Sequence, residues 1–239
     1  LVISYSLTDL ERSIIKKIEN LSVYLNEFGE VIQGITSYDA YSGQDKEVIK
    51  NKAYHSNTPK DVTYVKWLDG KDVKRNVINW GGTWLSYGSW LAAPREKRFF
   101  EGKRLLFREV PGQHKRIQTA MTNDEFYYGH SISPFKPYLL HEKHIEYILG
   151  IVNSKLISWY GGRVLSNFGK DIFPKLNPND IKELPIPKHF ALADELIPLV
   201  NALIISPSDE MIESKIDSLV YKIFQLTPEE IDVIEAKYK

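Results

Sequence analysis

The sequence predicts an α+β fold: an irregular, strand-rich body with a leading helix and a C-terminal α-helical hairpin. Apolar residues recur at helical spacing near the start, once after residue 140 and again beyond residue 192, whereas residues 30–133 carry short β-type runs between turn-forming residues. A proline-rich stretch, FPKLNPNDIKELPIP at 173–187, separates the last two helical regions. Each proline fixes its own φ, removes a donor and pushes its predecessor toward extended backbone, so a stiff extended strap through which no helix runs is expected there.

In chain order, Thr8 with Glu11 has capping-box spacing, and Leu10, Ile14, Ile18, Leu21 and Leu25 then repeat helically until Gly29. The runs VIQGI, EVIK, VTYVKW, RLLFREV and RIQTAM are expected as strands. From His141 to Tyr160, Ile145, Ile148, Leu149, Val152, Leu156 and Trp159 form one helical stripe, which Gly161 and Gly162 should end. Leu192, Leu196, Leu199, Val200 and Leu203 mark a helix ending near Ser206-Pro207. Ile212, Ile216, Leu219, Val220, Ile223 and Phe224 mark its partner, with Ser208 as the expected cap, and Thr227-Pro228-Glu229-Glu230 opens a last short helix.

Length and composition bound the function. With 239 residues, 43% hydrophobic and 26% charged, the chain can bury a proper core. The absence of cysteine excludes disulfides, thiolate metal sites and cysteine nucleophiles, and a cytoplasmic location is the expectation. No apolar run is long enough to span a bilayer and no signal-peptide pattern opens the chain, so no membrane partner is expected. The neutral total hides an asymmetry. Eight cations stand against Glu96, Glu101 and Glu109 between Arg95 and Arg116, a net +5, while residues 207–239 carry a net −4.

No catalytic constellation emerges. His141 and His144 of HEKH are spaced i, i+3 rather than the i, i+4 of a zincin, and a solvated helix start is the favoured reading. P-loop, GxGxxG and GxSxG patterns are absent, and Glu213-Ser214-Lys215, which has nuclease-like spacing, lies in the helical tail. Catalytic, cofactor-binding and metal-ligating residues are therefore expected to be none.

Six segments together resemble the TaqI-like C-terminal specificity domain of adenine-specific DNA methyltransferases and fused type II restriction-modification enzymes. They are VIQGI at 31–35, WLDGKDVKR at 67–75, GKRLLFREV at 102–110, LGIVNSKLISWY at 149–160, the proline strap, and IDSLVYKIFQLTPEEI at 216–231, in the family's order. One departure is TSYDAYSGQDKEVI, where relatives often continue with a Gly-rich turn and an aromatic. The resemblance implies a partner, double-stranded DNA, and a catalytic domain upstream in the same protein that binds S-adenosylmethionine and carries an Asn/Asp-Pro-Pro-Tyr/Phe motif. No such tetrapeptide occurs here. The expected organisation is then a leading helix over 1–28 joining that upstream domain, a target-recognition body over 29–187, and a helical hairpin with a short terminal helix over 188–239. The abrupt start at Leu1 fits a piece of a longer protein, and a fused endonuclease is left open.

A DNA reader needs cations for phosphates and amide or guanidinium groups for base edges. Four loops offer both. Gln33, Tyr38, Gln44 and Lys46 lie in the first, and Arg95, Lys97 and Arg98 in the second. Gln113, Lys115, Arg116 and Gln118, with His114 among them, form the third; Arg163, Asn167 and Lys170 form the fourth. Trp80, Trp84, Trp90 and Tyr87 read as packing rather than a stacking platform, and Asn153 and Ser154 as partners for nearby backbone. Two rivals are a carbohydrate-binding module built on INWGGTWLSYGSW at 78–90 and a protein-docking module built on the helical hairpin.

Overall fold

The computed structural model describes residues 7–238. The first six residues of the expected leading segment 1–28, and residue 239 of the expected terminal segment, lie outside the described residues. The described residues open with α1 (Asp9–Leu21), β1 (Ser22–Tyr24), β2 (Gly29–Val31), α2 (Lys46–Lys50), β3 (His55–Ser56) and β4 (Tyr64–Leu68). It continues through β5 (Val73–Lys74), β6 (Val77–Ile78), β7 (Trp84–Ser86), β8 (Arg104–Arg108), β9 (Thr119–Thr122), β10 (Tyr127–Tyr128) and β11 (Ile132–Pro137). The helical part follows as α3 (Ile145–Asn153), α4 (Lys155–Val164), α5 (Pro178–Lys182), β12 (Pro185–Pro187), α6 (Ala193–Ile205), α7 (Glu210–Ile223) and α8 (Pro228–Glu235).

The central layer is a four-stranded sheet in the order β2-β11-β8-β9, antiparallel throughout. Strand side chains alternate between faces, and β8 uses both. Leu105 and Phe107 enter a core shared with the helices, while Leu106 enters a second core beneath the other sheet, and all three are 0% exposed. Phe135 and Ile132 of β11 divide in the same way. This explains why Leu105-Leu106-Phe107 is apolar without alternation: a strand buried on both faces has no polar side there. The second sheet, β10-β4-β7-β3, closes over Trp67, Leu68, Leu85, Tyr127 and Tyr128. On the opposite side, α1, α3, α4, α6, α7 and α8 contribute Ile14, Ile18, Ile148, Trp159, Leu196, Val200, Val220 and Ile234 to one core. Each such side chain contributes about 1.5–3 kcal/mol by leaving water.

Several local expectations hold. The Thr8–Glu11 and Thr227–Glu230 capping boxes form, and α6 and α7 make the hairpin. Others are corrected. EVIK is helical, because Asp45 caps α2 by accepting from Glu47 N. Helix α1 stops at Leu21, since Ser22–Tyr24 pairs with Pro185–Pro187. Asp209, not Ser208, caps α7, accepting from Met211 N and Ile212 N. The 141–160 stripe is a 3₁₀ turn and two helices, broken at Ser154, whose Oγ donates to Ile151 O and accepts from Ile157 N. Gly161 and Gly162 lie inside α4, which continues to Val164.

The strap is corrected most. Pro178 occupies the first turn of α5, where a missing N–H leaves nothing unpaired, and Asn177 and Asp180 form a reciprocal capping box. Pro185–Pro187 is a buried strand antiparallel to β1, and non-proline donors carry the flanking bonds, Leu25 N to Leu184 O and Lys188 N to Leu21 O. A missing N–H is tolerated in the first turn of a helix and on a sheet edge, and these are the places that Pro178, Pro185 and Pro187 take.

Candidate nucleic-acid interface

The four loops assemble as two pairs. The first pair runs along the outer side of β2. A bridge joins Thr36 to Ala93, Gln44 Nε2 donates to Ser37 O and Trp90 O at 3.0 Å each, and Arg95 Nε donates to Gln33 O at 3.1 Å. Gln44 is spent on this junction, because its Oε1 also accepts from Asp39 N. Tyr38 is likewise internal. Its hydroxyl lies 2.8 Å from His55 Nδ1 and accepts from Tyr54 N, its ring stacks on Tyr54, and burial pushes its pKa up to about 12. Gln33 and Lys46 are exposed.

Charges on this side are largely matched. Arg98 forks onto Glu30 (2.5 and 3.0 Å) and reaches Glu96 at 2.8 Å; Lys97 lies 3.6 Å from Glu101 and 3.7 Å from Glu125. Lys103 pairs with Glu146, and Arg104 is fully buried, donating to Gly102 O, Asp124 O, Phe126 O and Tyr128 Oη. The basic excess counted along 95–116 is thus mostly neutralised or folded inward.

The second pair brings Lys115, Arg163 and Lys237 close together, the first two each with a carboxylate partner. Lys115 Nζ donates to Gly169 O (3.3 Å) and to Asp171 (3.1 Å), tying the 113–118 loop to the 163–175 segment. Arg163 pairs with Glu11 and lies over Trp159; Lys170 donates to Asn167. Lys237 joins them: its Nζ donates to Ser158 O and lies 5.4 Å from the Tyr238 ring centroid, while the Arg116 guanidinium lies 5.3 Å from the same ring. Burial, reinforced by Arg163, Lys115 and Arg116, pulls the Lys237 amine down to about 8. Sequence reasoning missed Lys237, which sits within an acidic tail and comes to this cluster only through packing.

Arg116 is placed differently from its expected surface role. It is 9% exposed, its Nη2 donates to Asn153 O at 2.7 Å, and burial lowers its pKa from the usual arginine value. It is a packing cation that ties the third loop to the C-terminus of α3. Gln118 is also internal, accepting from Arg75 N and donating to Arg116 O. Gln113 and His114 are left exposed at the tip.

Beside this tip, a groove of about 540 Å³ is lined by Lys74, Arg75, Gln113, His114, Lys155 and Glu210, among others. Arg75 clamps Glu213 bidentately (2.6 and 2.7 Å), and Lys155 pairs with Glu235 at 2.7 Å, so the helical hairpin forms one wall and the body the other. Glu213 is thereby a structural partner. Lys74 is exposed and makes no ion pair among the described residues. Sequence alone did not single it out, because only the short β5–β6 hairpin carries it to the groove.

Elsewhere, the HEKH histidines are half-buried rather than solvated. His144 stacks on Phe190 at 3.7 Å, and His141 meets Phe28 edge-on. Among the described residues no cluster of three or more metal-ligating side chains occurs, and no helix is long and apolar enough to cross a membrane.

The profile of the TaqI-like C-terminal specificity domain matches residues 65–186, more than half of the chain. The chain belongs to that family, and its fold is α+β. Among solved structures it is similar to the type IIL restriction-modification enzyme MmeI in complex with DNA, at 9% identity and a TM-score of 0.50, covering 91% of this chain and 34% of that one. The type IIG restriction endonuclease BpuSI matches at 12% identity and a TM-score of 0.49, covering 93% and 34%. The HsdS subunit from Thermoanaerobacter tengcongensis matches at 12% identity and 0.40, covering 96% and 49%. The chain thus spans about a third of the length of the first two. No curated protein sequence matches it.

Proposed function

We propose that this chain recognises a target sequence in double-stranded DNA, as the specificity part of a restriction-modification adenine-N6 methyltransferase. The observation that carries the reading is the union of the third and fourth loops: Lys115 ties them together with Lys237 and Arg163 close by, and Gln113 and His114, exposed at the tip, line a groove together with Lys74, Arg75 and Lys155. Cations there hold phosphates and fix register, and the exposed amide and imidazole reach base edges. Membership of a specificity-domain family supports it. On this reading, methyl transfer from S-adenosylmethionine belongs to a domain outside this chain, into which the target base is flipped. This chain's residues bind and orient the duplex. The setting is the cytoplasm, and a fused endonuclease is compatible with the same role.

The aromatic segment does not favour a sugar platform. Trp80 and Trp84 are half-buried and meet edge-on, and Trp90 folds over Gly88 with its indole N–H on Ser86 O. No flat, exposed aromatic row is left there.

The test is fluorescence anisotropy of the full-length protein with duplexes enriched from a randomised pool. Affinity should fall linearly with salt on logarithmic axes, by about 0.9 per phosphate contacted. Lys115→Gln should reduce that slope by about one. Salt-insensitive binding, or no duplex selected above background, would overturn the proposal.

A further inference from the structure

The 165–175 segment carries a feature that groove and cation cluster leave unused. Ile172 and Phe173 are 75% and 82% exposed, although nothing about a polar loop requires large apolar side chains. Phe173 also has φ +54°, in the left-handed region that a bulky side chain avoids, and it precedes Pro174, whose ring restricts it further. Backbone held in such a conformation persists only where its surroundings over-determine it, and such residues concentrate at functional sites.

The surroundings do so here. Gly169 N donates to Leu165 O, Lys175 N to Asn167 O, and Leu176 N to Glu109 O. Lys115 Nζ grips Gly169 O and Asp171 from the neighbouring loop, and Lys175 pairs with Glu109 at 3.0 Å. Two further left-handed residues, His114 (+52°) and Lys115 (+56°), lie in that neighbouring loop, so three strained positions occupy two loops fastened together. Lys115 and Lys175 pair with Asp171 and Glu109, so the rim of the apolar pair carries a net +1, supplied by Lys170.

An exposed aliphatic–aromatic pair on a rigid loop with a cationic rim matches the chemistry of a base step flanked by phosphates. We propose that Ile172 and Phe173 form an apolar wedge that enters the base stack of duplex DNA, with Lys170 and Lys115 on the adjoining phosphates. The inference rests on the DNA-binding reading above. The wedge opens one step beside the bases read by Gln113 and His114 and kinks the duplex there.

The experiment uses the full-length protein with two probes: duplexes carrying 2-aminopurine at each successive position, and end-labelled duplexes whose energy transfer reports bending. The wild type should brighten 2-aminopurine at one step and shorten the end-to-end distance. Phe173→Ala and Ile172→Ala, with unchanged circular dichroism, should lose both signals and bind about tenfold more weakly at fixed salt without changing the salt slope. Phe173→Leu should restore part of the signal, and Lys170→Gln should change the slope instead. A Phe173→Ala variant with wild-type brightening and bending overturns the wedge and leaves the DNA reading standing. An altered oligomeric state with an unchanged DNA complex also overturns it, assigning the pair to a protein contact. Failure of the wild type to bind any duplex removes both proposals.

Discussion

Replacing Arg116 by alanine separates a packing cation from a DNA contact. The guanidinium is 9% exposed, donates to Asn153 O at 2.7 Å and lies 5.3 Å from the Tyr238 ring. It also faces Asp217, whose carboxyl burial raises above the usual aspartate range and which Arg116 and Lys155 partly hold down. Losing a charged hydrogen bond costs about 1.5–3 kcal/mol, and the cation–π contact adds about 0.5–2 kcal/mol when desolvated. A total of about 3 kcal/mol is a large share of the roughly 5–15 kcal/mol that holds a domain folded. For a chain of this size it corresponds to a fall of about 6–12 °C in the midpoint of thermal unfolding. Differential scanning calorimetry with a urea titration reads this directly. At temperatures where the variant is folded, its DNA salt slope should equal that of the wild type. A midpoint within 2 °C of wild type, combined with a slope reduced by about one, would refute the reasoning and return Arg116 to the DNA surface.

Three other outcomes are expected. The Lys237 amine is held near 8, below its ordinary 10.5, so the unfolded chain binds the extra proton between those values and this group's contribution to stability rises with pH across that window. Duplex affinity has the opposite sign, because a phosphate favours the charged amine: it should fall as pH rises through about 8, and Lys237→Met should flatten that dependence in anisotropy titrations. A double-mutant cycle on Arg75 and Glu213, whose side chains are 23% and 20% exposed, should give about 1–2 kcal/mol of coupling in urea unfolding, above an exposed pair and below a fully buried one. Coupling below about 0.3 kcal/mol would show that this ion pair adds nothing to the join between body and hairpin. Gly34→Ala should destabilise by several kcal/mol, read as a lowered urea midpoint, because its added Cβ would sit 2.2 Å from Gly129 O, a backbone atom that cannot step aside.

Much of this architecture is legible one segment at a time. The capping boxes at Thr8 and Thr227, the apolar stripe of α7 and the β-type run RLLFREV that contains β8 are local patterns with local causes, and they appear where the spacing places them. The errors share a physical origin. EVIK and the proline stretch have compositions that disfavour helix, yet each holds a short capped one: Asp45 caps α2, and Asn177 with Asp180 caps the helix that Pro178 opens. The site residues were legible as a chemical class, because loops rich in Arg, Lys and Gln are recognisable. Which of them face solvent was not.

The amino-acid sequence by itself determined the α+β class, the strand character of β8, the absence of thiol chemistry and the family, all of which depend on neighbours along the chain. Tertiary structure alone decided the charge map. Glu30 lies 68 residues from Arg98 and Glu213 lies 138 residues from Arg75, so these cations meet partners that no local stretch of sequence contains. Lys237, from an acidic tail, becomes part of the basic cluster. Helical and strand periodicity are short-range, so a chain displays them openly. Electrostatic potential is a sum over everything nearby in space, and only folding determines what is nearby.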